Sequence, residues 1–157
     1  MISNKYMKKA YELAQKAFME DEVPIGAVIV DTQTGEIITQ SYNQTAHVLD
    51  ATAHAEMLAI QQACKKLKTN RLWGTDMYVT LEPCTMCAAA ISFARIENLY
   101  IGALDIKGGG VKNGVKFYQS TACHHKPKVH LELINDECGQ ILQDFFKAKR
   151  KQIDKIS

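Results

Sequence analysis

The sequence has no apolar run approaching the roughly 20 residues that span a bilayer, which argues against a membrane-spanning helix. Its first stretch, MISNKYMKKAYELAQKAF, lacks the apolar core of a secretion signal and carries charges throughout. There is no internal repeat, no linker, and no second CxxC beside the one at residues 84–87. The expectation is a cytoplasmic protein of one domain covering residues 1–157. Disulfides are rare in that compartment, so Cys64, Cys84, Cys87, Cys123 and Cys138 are expected to be reduced. That leaves metal binding, redox chemistry or burial as their uses.

Charge is present in nearly balanced amounts, 19 Lys/Arg against 17 Asp/Glu, but it is unevenly placed. The last 14 residues, DFFKAKRKQIDKIS, hold five of the basic and two of the acidic residues, leaving 14 against 15 elsewhere. A near-neutral body therefore ends in a basic tail, which is read either as a solvated helix end or as a surface for phosphates.

Hydrophobic spacing gives the order of elements. Met7, Ala10, Leu13, Ala14, Ala17 and Phe18 recur at helical spacing within residues 5–20. AVIV (27–30) and IITQSYN (37–43) read as two strands of a hairpin around the turn DTQTGE. A helix is expected from Thr52, a candidate N-cap, to Leu67, with Met57, Ile60, Ala63, Cys64 and Leu67 inward. MYVTL (77–81) is a strand, CAAAISFA (87–94) a helix, NLYIGAL (98–104) a strand, and KGGGVKNG (107–114) a glycine-rich loop. VHLEL (129–133) is a last strand before a closing basic helix at about 136–152. A hairpin followed by alternating helices and strands implies a mixed sheet with helices on both faces.

The sharpest feature is LEPCTMC (81–87). A thioredoxin-like redox pair fits the order of elements poorly, because a hairpin comes first. A structural zinc site needs four protein ligands, and no second pair supplies them. Three ligands plus an open position is the catalytic pattern. TAHAE (52–56) offers the third ligand, His54, at a helix start, with Glu56 two residues on. Side chains at i and i+2 do not share a helix face, so a common site must lie beyond the helix end, near its axis. Cys84 and Cys87 also stand at a helix start, so two helix N-termini are expected to face each other across one metal, each favouring thiolates. Two sulfurs and an imidazole select zinc, one per chain, and leave Glu56 free to carry protons.

HAE followed by PCTMC resembles the zinc-dependent cytidine-deaminase-like superfamily, and within it the tRNA adenosine deaminases. The resemblance also takes in VPIGAVIV (23–30), Asn43, TAHAEMLAI (52–60), YVTLEPCTMCAAAI (78–91), GALD (102–105) and DFF near the end. It implies a three-layer α/β/α fold with a five-stranded mixed sheet between helices, and a homodimer with the active site at the subunit contact. It implies zinc on His54, Cys84 and Cys87, Glu56 as the proton shuttle, and Asn43 hydrogen-bonded to the purine. The activity implied is hydrolytic deamination of the tRNA wobble adenosine to inosine. The helix bearing Phe146, Lys147, Lys149, Arg150 and Lys151 would meet the anticodon stem-loop. The chain departs from many members at Ala51, where they carry proline, and in its loop KGGGVKNG.

Three other readings compete: a deaminase of a free base such as guanine or cytosine, a non-catalytic zinc-stabilised RNA-binding module, and a redox protein. Cys64 and Cys138 are expected to be buried apolar residues, Trp73 to pack, and Cys123, His124 and His125 not to converge on a second metal. Of Phe145 and Phe146, one is expected in the core and one at the rim.

Overall fold

A computed structural model describes residues 1–156; Ser157 lies outside the described residues. The elements are α1 (Lys5–Met19), β1 (Gly26–Asp31), β2 (Ile37–Tyr42), α2 (Ala55–Leu67), β3 (Thr75–Val79), α3 (Thr85–Phe93), β4 (Asn98–Ile101), a 3-10 turn (Phe117–Gln119), β5 (Lys128–His130) and α4 (Asp136–Ile156). One five-stranded sheet runs β2-β1-β3-β4-β5. The β1–β2 and β1–β3 pairs are antiparallel, and β3–β4 and β4–β5 are parallel. The mixed sheet between helices is the one anticipated from the order of elements.

Strand side chains alternate between faces, and this sorts the two cores. Ala27, Ile29, Met77, Val79, Leu99 and Ile101 point to one face and meet Ala55, Ala59, Ala63, Ala88 and Ile91 of α2 and α3. Val28, Val30 and Tyr78 point to the other and meet Met7 and Ala10 of α1 and Cys138 of α4. Truncating Met77, which is fully buried, to alanine would cost about 2–5 kcal/mol. Asn4 caps α1 by accepting from the backbone amides of Tyr6 and Met7, both at 3.0 Å. Phe18 and Phe145 meet edge-on at 5.7 Å and seat α4 against α1.

Several boundaries differ from those read in the sequence. β3 begins at Thr75, whose partner in β1 is Asp31, and stops at Val79. Thr80 leaves the strand because its hydroxyl accepts the Gly26 amide. β4 ends at Ile101, β5 spans only Lys128–His130, α3 starts at Thr85, and α4 runs on to Ile156. Thr52 does not cap α2; its amide and hydroxyl both bond Asp50 Oδ1, and His54 takes the N-cap position. Leu67 faces solvent, Met57 and Cys64 are half-buried, and Trp73 is exposed, its edge against His125. Cys138 is buried, and Phe145 and Phe146 divide as core and rim.

The register sets the location of the site. Gly26 pairs with Tyr42, Ala27 with Val79, and Val79 with Ile101. The start of β1 and the ends of β2, β3 and β4 therefore lie along one end of the sheet. Connections leaving carboxyl ends of strands are where open α/β sheets bind ligands. Residues 20–25, 43–54, 80–84 and 102–113 all depart from this end.

Candidate active site

His54 and Cys84 occupy equivalent positions in two different helices. Each is an N-cap residue with extended backbone (φ −72°, ψ 153° and φ −68°, ψ 175°), and neither side chain caps its own helix. The usual capping bond is forgone, which frees the imidazole and the sulfur to point into the gap between the helix ends. Cys87, one turn into α3, projects on the same face as Cys84. His54 Nδ1 lies 3.6 Å from Cys84 Sγ and 3.5 Å from Cys87 Sγ. One donor atom from each of the three residues falls within 4.8 Å of the others, and no fourth protein ligand joins them among the described residues.

These three residues fit a metal ion. The Cys87 thiol hydrogen-bonds Cys84 and, with the His54 ring, pulls the Cys84 thiol down to about 4. The Cys84 sulfur and burial push Cys87 above its ordinary value. The bond to Cys84 raises His54. Two thiolates this close cannot both ionise without a cation between them. Three ligands at two positive helix ends can hold that cation and leave one coordination position for another group.

Glu56 lies in the first turn of α2 and is 3% exposed. Its Oε1 is a buried oxygen with no hydrogen-bond partner, a costly arrangement unless something outside the protein uses it. Burial pushes its carboxyl up to about 7, where a group can both take and give a proton near neutral pH.

Asn43 follows β2 directly. Its amide bonds the Ile25 carbonyl, and the next amide, of Gln44, bonds the Ala53 carbonyl just before His54. Those bonds bring Asn43 beside the start of α2. Its side-chain nitrogen donates to Glu22 Oε1 and to Thr45 Oγ1, both at 3.4 Å. Glu22 is itself buried and accepts from the amides of Ala46 (3.1 Å) and His47 (2.7 Å) and from the His47 ring. Burial alone would raise its carboxyl, but these hydrogen bonds hold it below the ordinary value.

The basic tail divides. Phe146, Lys147, Arg150 and Lys151 are exposed, and the first three line one shallow groove. Lys149 instead turns back over the Phe145 ring and pairs with Asp21. Cys123 and His125 are engaged elsewhere: the thiol bonds the His125 carbonyl and the ring bonds the Ile96 carbonyl, so they form no second cluster.

Sequence reasoning missed three buried polar residues here. Glu22 and Glu82 each stand next to a proline or one residue from it, at a strand boundary, and an acidic residue against a buried strand was the available signal. Tyr118, whose hydroxyl donates to the Ala88 carbonyl at 2.9 Å behind α3, lies in a stretch with no periodicity to reveal it.

Comparison with known proteins finds relatives along nearly the whole chain. A family model described as MafB19-like deaminase matches residues 1–150. The tRNA-specific adenosine deaminase of Agrobacterium fabrum is 52% identical over 92% of this chain and 94% of its own length. The enzyme of the same name from Bacillus subtilis is 44% identical over 94% of this chain and 90% of its own. A solved structure from work on A-to-I editing by tRNA:A34 deaminases superposes with a TM-score of 0.84 at 52% identity, covering 87% of this chain and 98% of that one. Agreement of this depth along nearly the whole chain places it in the MafB19-like deaminase family, among the tRNA-specific adenosine deaminases.

Proposed function

We propose that this protein is a zinc-dependent hydrolase that deaminates adenosine to inosine at the wobble position of tRNA. One observation carries the reading: the buried, unpartnered Oε1 of Glu56 lies beside the His54, Cys84 and Cys87 cluster in a chain of this family. A purely structural metal site has no use for such an oxygen.

His54, Cys84 and Cys87 would hold the ion, and two sulfurs with one imidazole favour zinc. When bound there, zinc supplies a water acidified from 15.7 to about 7. Burial and the Cys84 sulfur raise the Glu56 carboxyl to about 7 while the His54 ring pulls it down, so near neutral pH both the form that accepts a proton and the form that returns it are populated. Glu56 takes the proton of the attacking water and passes it to N1 of the adenine. It then takes the proton of the new C6 hydroxyl and delivers it to the C6 amino group, so that the C6–N bond breaks, ammonia leaves, and C6 retains the oxygen as a carbonyl. Asn43, held from behind by Glu22 and Thr45, orients the base across from the cluster. An anticodon-loop base is already unpaired, so bringing it out costs little.

The exposed Phe146, Lys147, Arg150 and Lys151 give the stem-loop an aromatic platform and phosphate contacts. A homodimer is part of the reading. Phe93, 62% exposed, shares an apolar groove with Ile60, Cys64, Ala90 and Ala94 on the outer face of α2 and α3. A Phe93→Asp chain that still sediments as a dimer would remove that face from the interface. No described helix is long and apolar enough to cross a membrane, and a cytoplasmic location, where tRNA is met, is part of the reading.

The test is incubation with an anticodon stem-loop carrying adenosine at the wobble position. Inosine and ammonia should appear in equal amounts, dependent on zinc and on Glu56. Turnover of free bases with no action on the stem-loop would overturn the assignment.

A further inference from the structure

The glycine-rich loop after β4 has no role in the chemistry above, yet it is tied to the metal-bearing helix by one buried carboxylate. Glu82 is 2% exposed and stands two residues before Cys84. Its Oε1 accepts from the Asp105 amide at 3.0 Å and from the Asn113 side chain at 2.7 Å. Its Oε2 accepts from the amides of Val111 (3.1 Å), Lys112 (2.9 Å) and Asn113 (3.0 Å). No cationic side chain pairs with it among the described residues; its charge is spread over four backbone dipoles and one amide. Charge-assisted bonds are about twice as strong as neutral ones, and five converge on this group.

The loop is shaped to reach it. A Cβ on Gly109 would run into the Glu82 carboxylate. A Cβ on Gly110 would come within 2.7 Å of the Thr85 backbone and 2.9 Å of the Cys84 carbonyl carbon. The Gly110 amide bonds the Pro83 carbonyl at 2.8 Å, and the Gly110 carbonyl accepts the Phe117 amide at 2.9 Å. The loop therefore lies backbone against backbone on residues 83–85, the segment that presents the first sulfur. Asn43 approaches the same end of the sheet from β2. The loop and Asn43 thus flank the cluster from opposite sides.

We propose that Glu82 is a positioning residue for the deamination: by clamping the 105–113 loop onto the start of α3, it fixes the wall of the substrate pocket beside the metal ligands. This rests on the activity proposed above. Glu82 touches neither substrate nor metal; it acts through the loop. Two independent changes release the wall. Glu82→Gln keeps the size but turns an NH2 toward amides that need an acceptor. Gly110→Ala leaves Glu82 intact and lifts the loop off Thr85.

The experiment measures zinc content, hydrogen exchange of the amides of Asp105, Val111, Lys112 and Asn113, and steady-state kinetics on the stem-loop. Both variants should hold one zinc per chain, exchange those four amides faster, and lose on the order of 10²-fold in kcat/KM, the cost of a displacement near 1 Å. The loss should include a raised KM. A merely structural defect lowers the active fraction and kcat, and leaves KM alone. Glu82→Asp, which keeps the acceptors but falls short of them, should lie between Glu82→Gln and the native chain. Unchanged KM in both glutamine and alanine variants, or activity lost only in proportion to zinc, overturns the proposal. If Glu82→Gln does not fold, Gly110→Ala decides alone. If the native enzyme makes no inosine, the activity falls, while amide exchange still reports whether Glu82 holds the loop.

Discussion

Lys149 reaches back from α4 to Asp21, its Nζ 2.6 Å from the carboxylate, in the turn that links α1 to β1. Asp21 adjoins Glu22, which holds the Asn43 loop, so the tail is anchored to the segment that supports Asn43 beside the start of α2. An exposed ion pair of this kind contributes about 0–1 kcal/mol. Lys149 is therefore better placed to orient the helix than to meet phosphates, and the tail has two kinds of lysine.

This division is testable. Replacing Lys147, Arg150 and Lys151 together by alanine should weaken stem-loop binding and flatten its salt dependence by about 0.7–0.9 in log-log slope for each phosphate that is no longer neutralised. Zinc content should not change. Lys149→Ala should leave that slope nearly unaltered. A triple variant that binds with the native salt slope would return the tail to a solvated helix end.

The metal cluster yields a second expectation. Purified enzyme should carry one zinc per chain, with zinc–sulfur distances near 2.3 Å and a non-protein group in the fourth position. His54→Ala, Cys84→Ala and Cys87→Ala should each lose most of the metal and all measurable deamination. Chelation should do the same reversibly, and added zinc should restore activity. X-ray absorption showing a fourth protein ligand would contradict the open site.

How far the sequence foretold this arrangement depended on the kind of signal. His54, Glu56, Cys84 and Cys87 were legible because donor chemistry and spacing are local properties, and two helix starts carry them. Helices α1 and α2 were legible from periodicity. Strand ends were not, because Thr80 leaves β3 for a bond to Gly26, 54 residues away. The capping of α2 was misread at Thr52, since the competing acceptor was Asp50 in a turn of its own. Glu22 and Glu82 were passed over because their meaning lies in loops that come near only in the fold. Lys149 differs from its basic neighbours only by where α4 meets α1.

Glu22 predicts a pH effect. Its folded-state carboxyl lies below the ordinary value of 4.5, so its contribution to stability is present above that value and is lost as pH falls through the lower folded value. The groups facing it are the His47 ring, the amides of Ala46 and His47, and Asn43. Acidification below about pH 4.5 should therefore loosen the 43–47 loop. Urea midpoints of the native chain should fall between about pH 5 and pH 3 by more than those of Glu22→Gln, which starts less stable. Parallel midpoints for the two proteins across that range would show that Glu22 is not the acid-sensitive group.

Glu56 provides the most direct test of the chemistry. Its side chain is buried, its Oε1 lacks a partner, and it is offset by two residues from His54, so it can be altered without removing a metal ligand. Glu56→Gln is nearly isosteric and should keep the zinc, the fold and stem-loop affinity. It has no group that accepts and returns a proton, so kcat should fall on the order of 10² to 10⁴-fold. Because an unpartnered buried carboxylate is costly, the same variant should unfold at an equal or higher temperature than the native chain, opposite in direction to its activity. Loss of zinc with loss of activity would make Glu56 a contributor to the metal site. A zinc-replete Glu56→Gln enzyme with near-native turnover would remove it from the reaction altogether.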